Sequence, residues 1–218
     1  IDERCELKES FVAGLRERQK EDRQTSIARA AKIMFLEHGF EKATIEGIAQ
    51  AAGVSGVTVH NYYGTKSGIL LALVAENDRN LIASLNKELS LCPQEVTEVT
   101  VRFAKTILEH VLMNLQKVIW RQVIATVTAN ADNSISKPYF DLDQELAQVL
   151  VLQISRMQDA GNLPKSIVPE NLGEALFHLQ NARFIQFVCS DELQIEDVLR
   201  RIRNDLEALF AVQAAVSA

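Results

Sequence analysis

The segment GVSGVTVHNYYGTK, Gly53 to Lys66, gathers an unusual density of hydrogen-bonding side chains into one short stretch. A helix over it would carry Ser, Thr, His, Asn and two Tyr, with few apolar residues to bury. Val54 and Val59 are placed to lock it onto an earlier helix. Gly56, Val57, Thr58, His60, Asn61 and Tyr62 then face away from the core. Compact donors and acceptors on a helix held from one side suit the DNA major groove, where base edges and phosphates offer complementary groups. Small residues at the N-terminal end let the backbone approach closely, and the helix dipole attracts phosphate. Taken alone, the Ala-x-x-x-Gly spacing of Ala49 and Gly53 is also what an ordinary helix end and turn would show.

Presenting such a helix takes a helix-turn-helix: a small residue where two helices touch, a residue tolerant of positive φ in the turn, and apolar residues fixing the second helix. Ala49, Gly53, Val54 and Val59 meet these demands. The first helix of the unit reads from Thr25 or Ser26, either of which can cap it, to Gly39, with Ile27, Ala30, Ala31, Met34 and Phe35 as its buried stripe. Thr44 caps a second helix ending at Ala52, with Ile45, Ile48 and Ala49 inward. Ser55 caps the third, to about Tyr62, and Gly64 breaks it. Thr65 opens a long fourth helix through Leu70, Leu73, Val74, Asn77, Leu81 and Leu85 to about Leu89. Residues 1–22 are dominated by mixed charge and read as an N-terminal arm, with Phe11, Val12 and Leu15 able to make a turn or two of amphipathic helix. Interleaved acids make Arg16, Arg18, Lys20 and Arg23 a solvated face first and a minor-groove contact second.

The rest of the chain is helical as well. Few glycines and prolines and no period-two pattern point to an all-α fold. The body starts at Pro93. Val96, Val99, Phe103, Ile107 and Val111 form one stripe, and residues 118–127 around Trp120 another segment. Asn130 to Phe140 reads as a loop, with Pro138 able to open the next helix, which holds Leu142, Leu146, Leu150, Ile154 and Met157 and ends at Gly161. After a linker come two last helices, about 170–189 and 195–212.

The net charge of −6 opposes a nucleic-acid partner if taken whole, but its distribution does not. Residues 1–70 carry equal numbers of acidic and basic side chains, so the deficit lies in the body, and screening hides charges more than about 10 Å away. Cys5, Cys92 and Cys189 are widely spaced and fit a reduced compartment. No apolar run reaches the length of a membrane span and no signal peptide is visible, so the cytoplasm is the expected location. There is no nucleophile–base motif, phosphate loop, metal spacing or paired-carboxylate pattern. An enzyme, a metal and a cofactor are therefore not expected.

The stretch from Arg23 to Leu70 resembles the DNA-binding domain of the TetR/AcrR family of transcriptional regulators. The likeness runs from the Ala30-Ala31 pair and Phe35 through Gly39-Phe40, Thr44, Ile48-Ala49, Ala52-Gly53-Val54-Ser55 and Thr58 to Tyr62 and Lys66. His60 stands where the family usually has Tyr, Tyr63 where it has Phe, and Val57 where Gly is common. Ser67-Gly68 replaces an acidic pair. The resemblance implies a DNA-binding domain over residues 23–70 and a ligand-binding and dimerisation domain over 71–218. It also implies that Thr44 and Lys66 grip phosphates, that Gly56, Val57, Thr58 and Asn61 lie nearest the bases, that His60 and Tyr62 reach phosphates or sugars, and that Ser55 belongs to the same DNA-binding set. Neutral His60 donates one bond and protonated His60 two, so binding should tighten as the pH falls. Tyr63 is expected to fill the core with its ring and to need a partner for its hydroxyl at the domain edge.

By the same resemblance a pocket for a small apolar or aromatic effector is expected in the body. Candidates are Phe103, His110, Met113, Trp120, Gln122 and Tyr139, followed by Gln153, Phe177, His178, Asn181 and Phe184. The helix over 170–189 has two apolar faces, one with Leu172, Ala175, Leu176 and Leu179 and the other with Phe177, Phe184 and Val188. The last helix places Ile195, Val198, Leu199, Ile202, Leu206, Leu209 and Phe210 on one stripe. Such faces need two partners, and a second copy of the same helix pair would supply one, giving a homodimer. The chain thus reads as a ligand-released repressor on a palindromic operator. The rivals are a DNA-binding structural protein of this fold without a ligand, favoured by a collapsed body, and an all-α enzyme.

Overall fold

The computed structural model describes the backbone of residues 3–91, 95–129 and 133–216. Among them it forms nine helices and no strand: α1 (Glu3–His38), α2 (Ile45–Ala52), α3 (Gly56–Tyr63), α4 (Lys66–Ser90), α5 (Val96–Asn114), α6 (Lys117–Ala129), α7 (Asn133–Asp159), α8 (Pro169–Cys189) and α9 (Ile195–Val216). The all-α expectation is met. The chain divides into two compact units, residues 1–73 and 74–218.

In the first unit Ile27, Ala31, Phe35, Ile48 and Val59 make the buried centre, with Met34 and Ile45 half-buried beside it. Thr44 and Ser55 cap their helices as their types predict: Thr44 Oγ1 accepts from Gly47 N at 3.0 Å and Ser55 Oγ from Thr58 N at 3.1 Å. Gly53, at φ 69° and ψ 31°, closes α2 with two reversed bonds, its own N–H to Gln50 and that of Val54 to Ala49. The first helix differs from its expected start at Thr25, because the helical backbone begins at Glu3 and runs without a break to His38. Glu, Arg, Lys and Gln are good helix formers, and an i,i+3 pair joins Lys20 to Glu17 at 3.4 Å, so this stretch needs no apolar stripe to be helical. The side chains of Cys5, Phe11, Val12, Leu15, Arg16 and Asn77 lie outside the described residues, as do Cys92, Pro93 and Asn130.

In the second unit α7 packs along α8, and α5, α6 and α9 complete the layer. Gly173 lies so close to α7 that a Cβ there would fall 2.7 Å from the Val151 backbone. The loop expected over residues 130–140 is helical from Asn133, and Pro138 sits inside α7 instead of opening it. Ser136, Tyr139 and Leu142 are all buried at helical spacing, and this packing outweighs the backbone bond that proline cannot donate. Side chains tie the helices together at their ends. Arg183 grips Asp205 with two bonds of 2.7 and 2.6 Å between α8 and α9, and this pairing raises the guanidinium pKa. Arg203 pairs with Glu98 between α9 and α5, and the hydrogen bond holds the Glu98 carboxyl below its usual range. Lys117 donates to the carbonyls of Ser190 and Leu193 at 2.8 and 2.7 Å and lies 3.8 Å above the Phe187 ring. Burial lowers its pKa. On α9, Val198, Ile202 and Leu206 are buried, whereas Leu209, expected on the same stripe, is 59% exposed.

Candidate functional site

Val59 fixes α3 from below with no exposed surface, and the outward face follows from that single anchor. Val57 is 71% exposed, His60 and Asn61 are exposed, and Gly56, Thr58 and Tyr62 are half-buried at the edges. An apolar side chain left this open has nothing to pack on within its own unit. Ser55 Oγ and Thr58 Oγ1 lie 2.8 Å apart, so the cap hydroxyl also holds the Thr58 side chain. On α3, Val57, His60 and Asn61 thus turn outward with Gly56, Thr58 and Tyr62 at the margins, and Thr44 and Ser55 are exposed at the starts of α2 and α3. The Tyr63 ring is half-buried, and its hydroxyl donates to the Gln24 carbonyl at 3.3 Å.

The turn from α3 to α4 sets where this face ends. Gly64 takes φ 67° and ψ −54°, and Thr65 N donates back to Tyr63 O at 2.7 Å, a tight γ-turn that strongly favours glycine. The same Tyr63 carbonyl would lie 2.1 Å from a Cβ at position 68. Gly68, at a position where the family resemblance would have placed an acid, is the residue that lets α4 start this close.

Lys66 departs from its expected role. Its ammonium donates to the carbonyls of Phe40 at 2.7 Å, Ala43 at 3.0 Å and Glu41 at 3.2 Å, and lies 4.5 Å from the Phe40 ring centroid. An ammonium has three N–H donors and all three are used here. Lys66 thus clamps the turn between α1 and α2 instead of reaching out to a phosphate. The carbonyls of that turn needed a donor, and sequence spacing alone cannot say which cation supplies it.

In the second unit a cavity of about 30 Å³ lies among α4–α8. Of the expected ligand contacts, Trp120, Tyr139, Phe177, Asn181 and Phe184 line it. Phe103 does not line it: it is fully buried and meets the Phe177 ring edge-on at 6.5 Å. Nor do the remaining candidates. Met113 is 83% exposed, two residues off the buried Val111 stripe, and Gln122 is half-buried two residues past Trp120. His110 is half-buried outside the lining, and His178 is exposed on a neighbouring groove. Gln153 is a structural link, donating to Leu89 O at 3.1 Å. Sequence reasoning missed Asp143 and Gln180 in the lining. Their signal was present, since each is a polar residue interrupting an apolar helical stripe. The indole Nε1 of Trp120 is buried with no hydrogen-bond partner. Among the described residues no cluster of His, Cys, Asp or Glu could hold a metal, and no helix is long and apolar enough to cross a membrane.

Comparison with known proteins agrees with this geometry. Residues 27–73 match the profile of the bacterial regulatory proteins, tetR family. No curated protein matches the chain in sequence. Among solved structures the fold is similar to FadR of Thermus thermophilus, a TetR-family transcriptional repressor in complex with lauroyl-CoA, at 22% identity and a TM-score of 0.67 over 86% of this chain and 93% of that one. It is similar to a TetR-family transcriptional regulator of Pectobacterium atrosepticum at 16% identity and 0.68, over 88% and 93%. A protein of Saccharomonospora viridis, described as a transcriptional regulator and solved with choline, gives 20% and 0.60 over 84% and 95%. At these identities the structural likenesses show the fold, and the profile match is confined to residues 27–73.

Proposed function

We propose that this chain is a transcriptional regulator of the tetR family, a homodimeric repressor that reads a palindromic operator through α3 and is released by a small molecule bound in its second unit. One observation supports this above the others: α3 is pinned by buried Val59 and turns Val57, His60 and Asn61 outward with no partner within the unit. In this reading Gly56, Val57, Thr58 and Asn61 meet base edges, while Thr44, Ser55, His60 and Tyr62 meet phosphates or sugars. Lys66 holds the turn that positions them. Dimerisation uses α8 and α9, whose outward residues Ala175, Ala182, Ile185 and Leu209 offer a small-residue and apolar surface. Two reading heads would then serve half-sites about 34 Å apart, one helical turn of DNA. Such a protein acts where the chromosome is, in the cytoplasm, and performs no catalysis.

Fluorescence anisotropy against the DNA upstream of its own gene, with a scrambled duplex and two salt concentrations, tests the reading. Preferential binding at two subunits per site, weakened about tenfold or more by Asn61→Ala, is the expected result. Equal weak binding to both duplexes would favour a non-specific architectural role. A second reading, a DNA-binding protein of this fold that takes no small ligand, draws on the size of the cavity, since about 30 Å³ is far below the several hundred typical of effector pockets. A ligand that binds the second unit without changing operator affinity would favour it.

A further inference from the structure

The first turn of α3 is built against helix propensity. Gly56, Val57 and Thr58 all rank low as helix formers, and the fold does not call for the first two. Gly56 takes no positive φ, and among the described residues a Cβ added there would meet nothing within 4 Å. Val57 is 71% exposed. The helix dipole favours an acid in a first turn, and α2 has one in Glu46, but α3 has none. Each choice suits a close approach to a polyanion. The missing Cβ lets the backbone in, and the missing carboxylate removes a like charge. The Ser55 and Thr58 hydroxyls hold each other at 2.8 Å, so the isopropyl group of Val57 is the exposed apolar tip of this turn.

Base edges in the major groove offer such a tip one partner, the C5-methyl of thymine. Over another edge the isopropyl group would cover a polar atom without bonding it. Exposed Asn61 lies four residues on, on the same side of α3 and about 6 Å along its axis, roughly two base-pair steps. Its amide suits the paired donor and acceptor of an adenine edge. We propose that Val57 is a specificity-determining residue that packs on a thymine methyl in each half-site. Gly56 admits the backbone, and the adenine for Asn61 lies within about two base pairs of that thymine. The inference rests on the operator reading above and supplies its base chemistry.

Selection from random duplex DNA by the whole chain gives the half-site. Each thymine in it is then replaced by deoxyuridine, in both halves together. This deletes the methyl and leaves the hydrogen-bonding edges and the protein unchanged. One position should respond, with affinity falling about tenfold as two buried methyls are lost. Val57→Ala should lose a similar factor on the thymine operator and respond less than about twofold to the same uracil. Its melting temperature should stay within about 1 °C, since the side chain is exposed. Gly56→Ala should hold or raise the melting temperature while weakening operator binding about tenfold, a pair of signs that a glycine needed by the fold would not give. A half-site without thymine, a uracil scan flat at every position, or a response that persists in full in Val57→Ala overturns the assignment. Gly56→Ala binding as the wild type does overturns the close approach. The two readings fail separately. A chain that selects no sequence fails as an operator reader and takes this inference with it, whereas selective binding with a flat uracil scan sinks this inference alone.

Discussion

The two units contain the same local device, put to different uses. In each, the first residue of a helix is a lysine whose ammonium ties carbonyls of a distant turn and rests on an aromatic ring. Lys66 holds the turn after α1 against Phe40, and Lys117 holds the turn after α8 against Phe187. The difference lies in what surrounds the clamp. Lys117 is reinforced by Arg121, which donates to Val188 O at 2.7 Å and pairs with Asp191, and its turn joins two helices already bound by Arg183 and Asp205. Lys66 works with three bonds of its own beside two eight-residue helices that bury little. A small unit built from short capped helices depends on each local bond. A layer of long helices spreads its stability over packing.

That comparison predicts a ranking of damage. The largest effects should come from the two glycines where backbones approach closely. Gly68→Ala places a methyl against the Tyr63 carbonyl and Gly173→Ala places one against the Val151 backbone, each expected to cost about 3 kcal/mol. Hydrogen exchange should localise the first loss to residues 27–73 and the second to α7 and α8; loss spread evenly over both units in either variant would break the distinction. Next come the clamps. Lys66→Met should lower thermal stability by about 1–2 kcal/mol and Lys117→Met by less, because Arg121 remains. Operator binding by the Lys66 variant should keep its salt slope, where loss of a phosphate contact would lower the slope by about 1. Glu98→Gln gives a smaller change, about 0.5 kcal/mol, because the pair with Arg203 is about one-third exposed. The lowered Glu98 pKa means that its contribution is fully present above about pH 4.5 and lost as the pH falls through the folded value. The acid limb of the wild-type melting curve should therefore be steeper than that of the variant. The smallest effect belongs to His60: His60→Phe, which removes an outward hydrogen-bonding ring, should weaken operator binding by about threefold.

The short helices were legible in the sequence because their signals are local. Thr44, Gly53, Ser55 and Gly64 act on backbone groups within a few residues, so residue type and spacing suffice. Where the structure departs from sequence reasoning, the deciding contact is distant or the local rule is outvoted. Pro138 has a clear breaker signature, yet the burial of Ser136, Tyr139 and Leu142 carries α7 through it. The charged segment before Thr25 lacks a stripe and is helical without one. The donors of Lys66 are taken by carbonyls more than twenty residues away, which no spacing rule foretells. Aromatic residues pointed to the cavity wall, but Asp143 and Gln180 show that a polar residue interrupting an apolar stripe is the sharper marker.

The contact between the Ser55 and Thr58 hydroxyls has one further consequence. A side chain that must choose a rotamer when it meets its target loses freedom at that moment, and affinity suffers by about 0.5–1.5 kcal/mol for a long one and less for threonine. Thr58 has already chosen. If Thr58 meets a base edge as proposed, its ordering falls on folding and not on recognition, and a change at Ser55 that leaves the helix intact should still weaken operator binding.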